Sequence, residues 1–261
     1  MMRLALGVEY DGSRFCGWQA QKEDLPTVQG ALEAALSTVA NEPVKVVCAG
    51  RTDTGVHGVG QVIHFDTAAR RSERSWILGT NANLHKGVSV QWAQVVDDGF
   101  HARFSALRRR YRYVILNRFS RPSFARGRVT WERRPLDEAR MQQAARHLVG
   151  EHDFNAYRAV ACQAHSPVRT VSRLEIRRTD DLLTMDIEAN AFLHHMVRNI
   201  AGVLMTIGAG EQGVDWSREV LESRDRTRGG ITAPPHGLYF MGVDYPPEFA
   251  IPAVPPTRLV W

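Results

Sequence analysis

Over residues 3–96 the chain switches between a two-residue and a 3.6-residue apolar period in a set order, and this switching constrains the fold more than any single motif. "RLALGVEYDG" reads as a strand ending in an Asp11-Gly12 turn. Thr27 then opens "TVQGALEAALSTVAN", whose Val28, Leu32, Ala35 and Leu36 share one helix face. "VKVVCAG" and the alternating "GQVIHFD" are strands, "SERSWILGTNANL" is a helix, and "VSVQWAQVV" alternates again. The order βαββαβ predicts an α+β sheet with helices on one side.

From Ser105 the pattern starts over. "RYRYVIL" and "GRVTWERR" read as strands, "LDEARMQQAARHLVG" as a helix, and "TVSRLEIRR" with "LLTMDIEA" as a hairpin around Asp180-Asp181. Helices from about His194 and Asp215 follow, then the strand "LYFMGVDY". At 261 residues the chain is long enough for two cores. The expectation is two α/β halves, 1–106 and 107–261, each with a mainly antiparallel sheet flanked by helices, and a basic cleft between them. The tail "PPEFAIPAVPPTRLVW" is proline-rich and is expected to be extended.

Apolar stretches such as residues 200–209 fall short of the ~20 residues that cross a bilayer, and the N-terminus turns acidic too early for a signal peptide. That predicts a cytoplasmic protein with no membrane partner. Cys16, Cys48 and Cys162 lie far apart and cannot all pair, so they read as reduced, small, mostly buried side chains. The formal charge of +5 suits a polyanionic partner. Only three of the cations are lysines (Lys22, Lys45, Lys86), and arginine's flat fork suits phosphate and base contacts. Genome-wide arginine bias would give the same count, so position has to decide.

The densest cluster of chemistry is "CAGRTDTGVHGVGQVIHFD", residues 48–66. Asp53 in "TDTG" is a turn former, with Gly55 able to take a positive φ. It is also a candidate nucleophile or general base. If the chain is still extended at Arg51, residues i and i+2 point the same way, and a guanidinium lies beside the carboxylate. The glycines at 50, 55, 58 and 60 would leave room for another backbone or a base. "GVHGVG" is not a dinucleotide-binding fingerprint, and no phosphate-binding GxxxxGK[ST] occurs. A lone D-T-G lacks the second acid of an aspartic protease. His57 and His64 stand seven apart on loop and strand, and His194-His195 would point to different sides of a helix, so no metal site is expected.

Two further segments carry candidates. "HARFSALRRRYRYVI" interleaves Arg103, Arg108, Arg109, Arg110 and Arg112 with Phe104, Tyr111 and Tyr113, a mix that tracks phosphates while stacking bases. In a strand Arg109, Tyr111 and Tyr113 share one face, and Arg108, Arg110 and Arg112 the other. An edge strand guarded by arginines is the structural alternative. In "NAFLHHMVRNIAGVLMTIGAG", Met196, Ile200, Val203 and Ile207 form a core stripe that Arg198 leaves.

Taken together, these segments resemble one family, the tRNA pseudouridine synthases of the A type. "AGRTDTGVHGVGQVIHF" matches its G-R-T-D-x-G-V-H core, and the likeness continues through "YDGSRFCGWQ", "NANL", "FHARFSA", "RRYRY", "FLHHMVRNI" and "GLYFMGVDY". Thr54 (where alanine is also common), Cys16 and the tail depart from the pattern without touching the candidate chemistry. The resemblance implies the pseudouridine synthase fold, a homodimer with a basic cleft, no cofactor and no metal. It implies conversion of uridine to pseudouridine at positions 38, 39 and 40 in the anticodon arm of tRNA. On that pattern Asp53 is the catalytic aspartate, Arg51 its neighbouring arginine, Tyr111 the ring that stacks on the target base, and Arg198 the arginine that pairs with the aspartate. Arg109, Arg110, His57 and Gly55 are expected as further substrate contacts. The rival expectation is a non-catalytic RNA-binding protein or tRNA chaperone in which Asp53 is a turn residue only.

Overall fold

A computed structural model describes residues 1–21 and 25–253. By internal contacts the chain divides into two compact units, Met1–Leu107 together with the segment from Tyr239, and Arg108–Leu238.

In the first unit, β1 (Met2–Tyr10) lies between β3 (His57–Thr67) and β4 (Val88–Val96), antiparallel to both. The short β2 (Val47–Cys48) pairs antiparallel with β3, and β10 (Leu238–Asp244) joins β3 in parallel at Tyr239 and His57. Helices α1 (Val28–Ala40) and α2 (Glu73–Asn83) begin where capping chemistry allows. Thr27 and Ser72 each accept a backbone N–H three residues ahead, as N-caps do. Leu4, Leu6 and Val8 of β1 alternate into a core that includes Leu32 and Leu36 of α1 and Trp76 of α2. The Trp76 ring meets Phe65 edge-on at 5.4 Å.

β2 is shorter than the predicted strand over 44–50. The Val44 N–H donates to the Ser37 hydroxyl and the Val46 N–H to the buried Glu33 carboxylate, so helix side chains take the donors that a longer strand would have used.

The second unit holds β5 (Arg108–Asn117), β9 (Leu182–Ala189), β8 (Val168–Thr179) and β7 (Gly150–Asp153) in that order, each antiparallel to the next. β6 (Thr130–Glu132) runs parallel to the end of β5. The β8–β9 hairpin turns at Asp180, which takes a left-handed φ of 52°. Helices α3 (Glu138–Ala145), α4 (Met196–Gly208) and α5 (Trp216–Ser223) complete the unit. Both units are thus α+β, with mainly antiparallel sheets and helices, as the period pattern predicts.

Four differences have local causes. β7 was invisible in the sequence because "GEHD" carries no apolar alternation. α4 starts at Met196 because His195 has φ 62°, which a right-handed helix cannot include. His194 and His195 therefore precede the helix, and their rings lie 4.0 Å apart instead of on opposite helix sides. In the C-terminal tail, Pro247–Phe249 forms a 3-10 turn where an extended chain was expected, and residues 254–261 lie outside the described residues.

Candidate active site

In the first unit the sequence "GRTDTGVH" forms the link from β2 to β3. Asp53 opens a tight turn in which the Val56 N–H donates to the Asp53 carbonyl (3.1 Å). Gly55 has φ +80°, a value an L-residue resists, so this glycine is required by the turn. Burial alternates along the loop: Thr52 is buried, Arg51 is exposed and Asp53 is half-buried. The strand ends at Cys48, before Arg51, so the in-out alternation outlasts the ladder that was expected to carry it. Arg51 also lies near Cys48: burial pushes that thiol up to about 12, and the guanidinium opposes the shift. Cys16 and Cys162 are half-buried, and all three cysteines are free thiols.

The loop is tied down at Gly50 and at Thr52. The Gln61 side chain bridges both the N–H (3.3 Å) and the carbonyl (2.6 Å) of Gly50. The Thr52 carbonyl accepts the Trp18 N–H (3.0 Å). The Thr52 hydroxyl shares a buried hydrogen bond of 2.9 Å with the Tyr10 hydroxyl, which also bonds Gln61. Burial drives the Tyr10 phenol far above its ordinary range, so it stays protonated. Tyr10, Thr52 and Gln61 thus form one enclosed polar network under the turn.

His57 is 2% exposed and stacks on Tyr239 at 4.7 Å. Its Nδ1 accepts the Gly12 N–H at 3.1 Å, while an Asp11 carboxylate oxygen stands 3.2 Å from the same nitrogen. The Gly12 N–H and the Asp11 carboxylate thus converge on one ring nitrogen, and the same Asp11 oxygen also accepts the Ser13 N–H. The space left by Gly58 is filled by the Tyr10 ring, 2.5 Å from where a Cβ would sit. That glycine therefore makes room for a ring of the protein's own support network, where the sequence reading gave the room to another backbone or a base.

In the second unit, β5 carries the interleaved arginines and tyrosines. Tyr111 is buried and meets Phe192 edge-on at 5.0 Å. Arg109 donates to the Asn190 carbonyl (2.8 Å). On the other face of the strand, Arg112 makes a bidentate pair with Asp186 (2.7 and 3.0 Å) and Arg108 reaches Glu188 (3.4 Å). Arg110 stands directly opposite Glu188 in the register. The charged face expected for phosphates is thus matched to carboxylates across the ladder. Arg198 of α4 is half-buried, and its Nε donates to the Ala233 carbonyl (2.8 Å). It leaves the Met196-Ile200-Val203-Ile207 stripe as predicted, although α4 is buried around most of its circumference. Tyr113 is fully buried, bonded to Thr130 and the Pro234 carbonyl, and close enough to feel the Arg198 charge.

The supporting residues were missed by sequence reasoning. Tyr10 and Trp18 stand in "YDGSRFCGWQ", a motif singled out for its resemblance with no role attached, and Gln61 looked like an ordinary strand residue.

Comparison with known proteins now specifies the class. The pattern described as tRNA pseudouridine synthase matches residues 7–105 and 144–246. A tRNA pseudouridine synthase A of Nitrosococcus oceani is 59% identical over 260 residues, covering 100% of both chains. One of Pseudomonas aeruginosa is 59% identical over 250 residues, 96% of this chain and 88% of the relative. Among solved structures, "Crystal Structure of a Cbf5-Nop10-Gar1 Complex" is a distant likeness, with TM-score 0.35, 13% identity, and coverage of 77% of this chain and 45% of that one. The chain belongs to the tRNA pseudouridine synthase family, isomerases that act on uridine in tRNA. Among the described residues no helix is long and apolar enough to cross a membrane.

Proposed function

We propose that the protein converts uridine to pseudouridine at positions 38, 39 and 40 in the anticodon arm of tRNA, with Asp53 as the catalytic carboxylate. The reaction breaks the N1–C1′ bond of the nucleoside, joins C5 to C1′, removes the C5 proton and leaves a proton on N1. Nothing is oxidised or reduced, and atoms balance within the nucleoside and its exchanged proton. Asp53 begins the reaction by adding to the base or the sugar, or by abstracting a sugar proton. Arg51 and Arg198 supply guanidinium charge to the carboxylate and the substrate. The target base must leave its stack, and the Tyr111 ring replaces the lost stacking while its hydroxyl carries the proton from C5. Arg109, Arg110 and the Gly55 turn contact the flipped nucleotide. His57, given its burial, serves by bracing the turn. The enzyme works as a cytoplasmic homodimer with tRNA as its partner.

The observation that best supports this reading is the hold on the Asp53 turn. A surface turn residue needs none of the buried Tyr10–Thr52–Gln61 network beneath it. A carboxylate that must meet a flipped base needs its position set in advance. The test is Asp53→Asn. It is expected to bind tRNA as the wild type does and to form no pseudouridine, and persistent modification would remove Asp53 from the mechanism. Tyr111→Phe is expected to keep binding and lose turnover; full activity would remove the hydroxyl's role.

A further inference from the structure

Between β5 and β6 lies a stretch that plays no part in the chemistry above. Residues 118–128, "RFSRPSFARGR", contain four arginines and no acid. Two large rings project from it, Phe119 at 87% exposure and Phe124 at 91%. A soluble surface ordinarily hides such rings, and two in one segment mark a contact. The stretch also lies outside the segments that the family pattern matches.

The segment is ordered by its own bonds. The Trp131 indole N–H donates to the Arg118 carbonyl (2.9 Å), closing the base of the loop. The Asn117 carboxamide donates to the Glu132 and Arg134 carbonyls (3.0 and 2.7 Å), fixing the strands that flank it. Inside, the Arg126 and Arg128 N–H groups turn back onto Ser123 and Ala125. The rings are thus held out on a pinned loop, which lowers the entropy lost when they meet a partner.

We infer that residues 118–128 form a second tRNA-docking surface, with Phe119 and Phe124 stacking on unpaired bases and Arg121 and Arg126 holding the flanking phosphates. Exposed rings interleaved with arginine are the chemistry of single-stranded RNA contacts, in which the ring takes the base and the guanidinium the backbone. Charge decides against a second copy of the chain. A symmetric interface would set this cationic loop against the same loop or force it onto an acidic patch elsewhere. Arg118 follows Tyr111 by seven residues, about 23 Å along the strand at ~3.3 Å per residue. The loop leaves β5 at the strand end remote from Tyr111, so its rings serve binding and not the chemical step.

This inference rests on the tRNA reading, and the experiment separates the two. The full-length protein with Phe119→Ala and Phe124→Ala, and another with Arg121→Gln and Arg126→Gln, are compared with wild type for tRNA Kd, salt dependence, kcat at saturating tRNA and oligomeric state. The phenylalanine pair is expected to weaken tRNA binding by roughly tenfold or more at unchanged kcat, with Trp at both sites restoring it. The arginine pair is expected to lower the slope of log K against log salt by about one to two units. Arg173→Gln serves as the control: its guanidinium is already paired with Glu175, so its slope is expected to match wild type. Kd within about twofold of wild type in the phenylalanine variant, together with a slope equal to wild type in the arginine variant, would overturn the inference. So would a change of oligomeric state at unchanged Kd, which would make the loop a protein interface. Wild-type protein that forms no pseudouridine in tRNA would instead sink the activity reading.

Discussion

Replacing Thr52 by valine tests whether the network beneath the turn serves catalysis or only folding. Valine keeps the shape and removes one hydroxyl, the partner of Tyr10 at 2.9 Å in a site where Tyr10 is 4% and Thr52 8% exposed. A buried hydroxyl that loses its partner costs about 1–3 kcal/mol, and the retained bond between Tyr10 and Gln61 argues for the lower part of that range, about 1–2 kcal/mol. For a chain of this size the melting temperature should fall by roughly 2–8 °C. Thr52 is covalently next to Asp53, and displacing a reacting group by about 1 Å costs on the order of 100-fold in rate. Thr52→Val is therefore expected to lower kcat by roughly tenfold or more while KM for tRNA stays within about twofold. Calorimetry and single-turnover assays on the same preparation give both numbers. Crossing it with Tyr10→Phe should yield a coupling energy of about 0.5 kcal/mol or more, since the two hydroxyls bond each other. A variant that loses the expected stability and keeps wild-type kcat would refute the argument that the network positions Asp53.

Gly55→Ala puts a side chain on a residue held at φ +80°, which costs about 1–2 kcal/mol, and it should reduce kcat more than tRNA affinity; calorimetry and tRNA titration check both. His64 gives a pH prediction. Burial, with His101 and Arg3 adding to it, lowers its pKa to about 4, and its Nδ1 accepts the Ala102 N–H as a neutral ring must. The unfolded chain binds the proton at the ordinary histidine value near ~6.5, so the first unit is most stable above that pH and loses stability as pH falls from about 6.5 to 4. Melting curves across that window should show this loss in wild type and a shallower one in His64→Gln.

The elements legible in the sequence are those whose partners are local. Thr27 and Ser72 announce α1 and α2 because a cap acts within three residues, and β4 and β9 show their alternation over the spans they occupy. β2 was misjudged because Ser37 and Glu33, on a helix earlier in the chain, compete for its backbone, and no local pattern records that competition. The same division holds at the site. Asp53 and the need for glycine at 55 follow from turn chemistry that four residues contain. The Tyr10–Thr52 bond spans 42 positions and becomes visible only when β1 and the loop are brought together.

Charge shows why position outweighs composition in this protein. A net +5 would suit a nucleic-acid partner, yet much of the arginine answers to carboxylates of the same chain: Arg3 to Asp66, Arg112 to Asp186, Arg134 to Glu132 and Glu211, Arg173 and Arg177 to Glu175, and Arg178 to Glu138. A guanidinium so matched releases no counterion when a phosphate approaches unless its carboxylate is first abandoned, so it adds little to salt-dependent binding. The arginines that steer RNA must then be sought where acids are missing from the neighbouring sequence. Residues 118–128 meet that condition, with four arginines and no acid within the segment, and Arg118 reaches the Asp181 carboxylate only at a loose 3.7 Å.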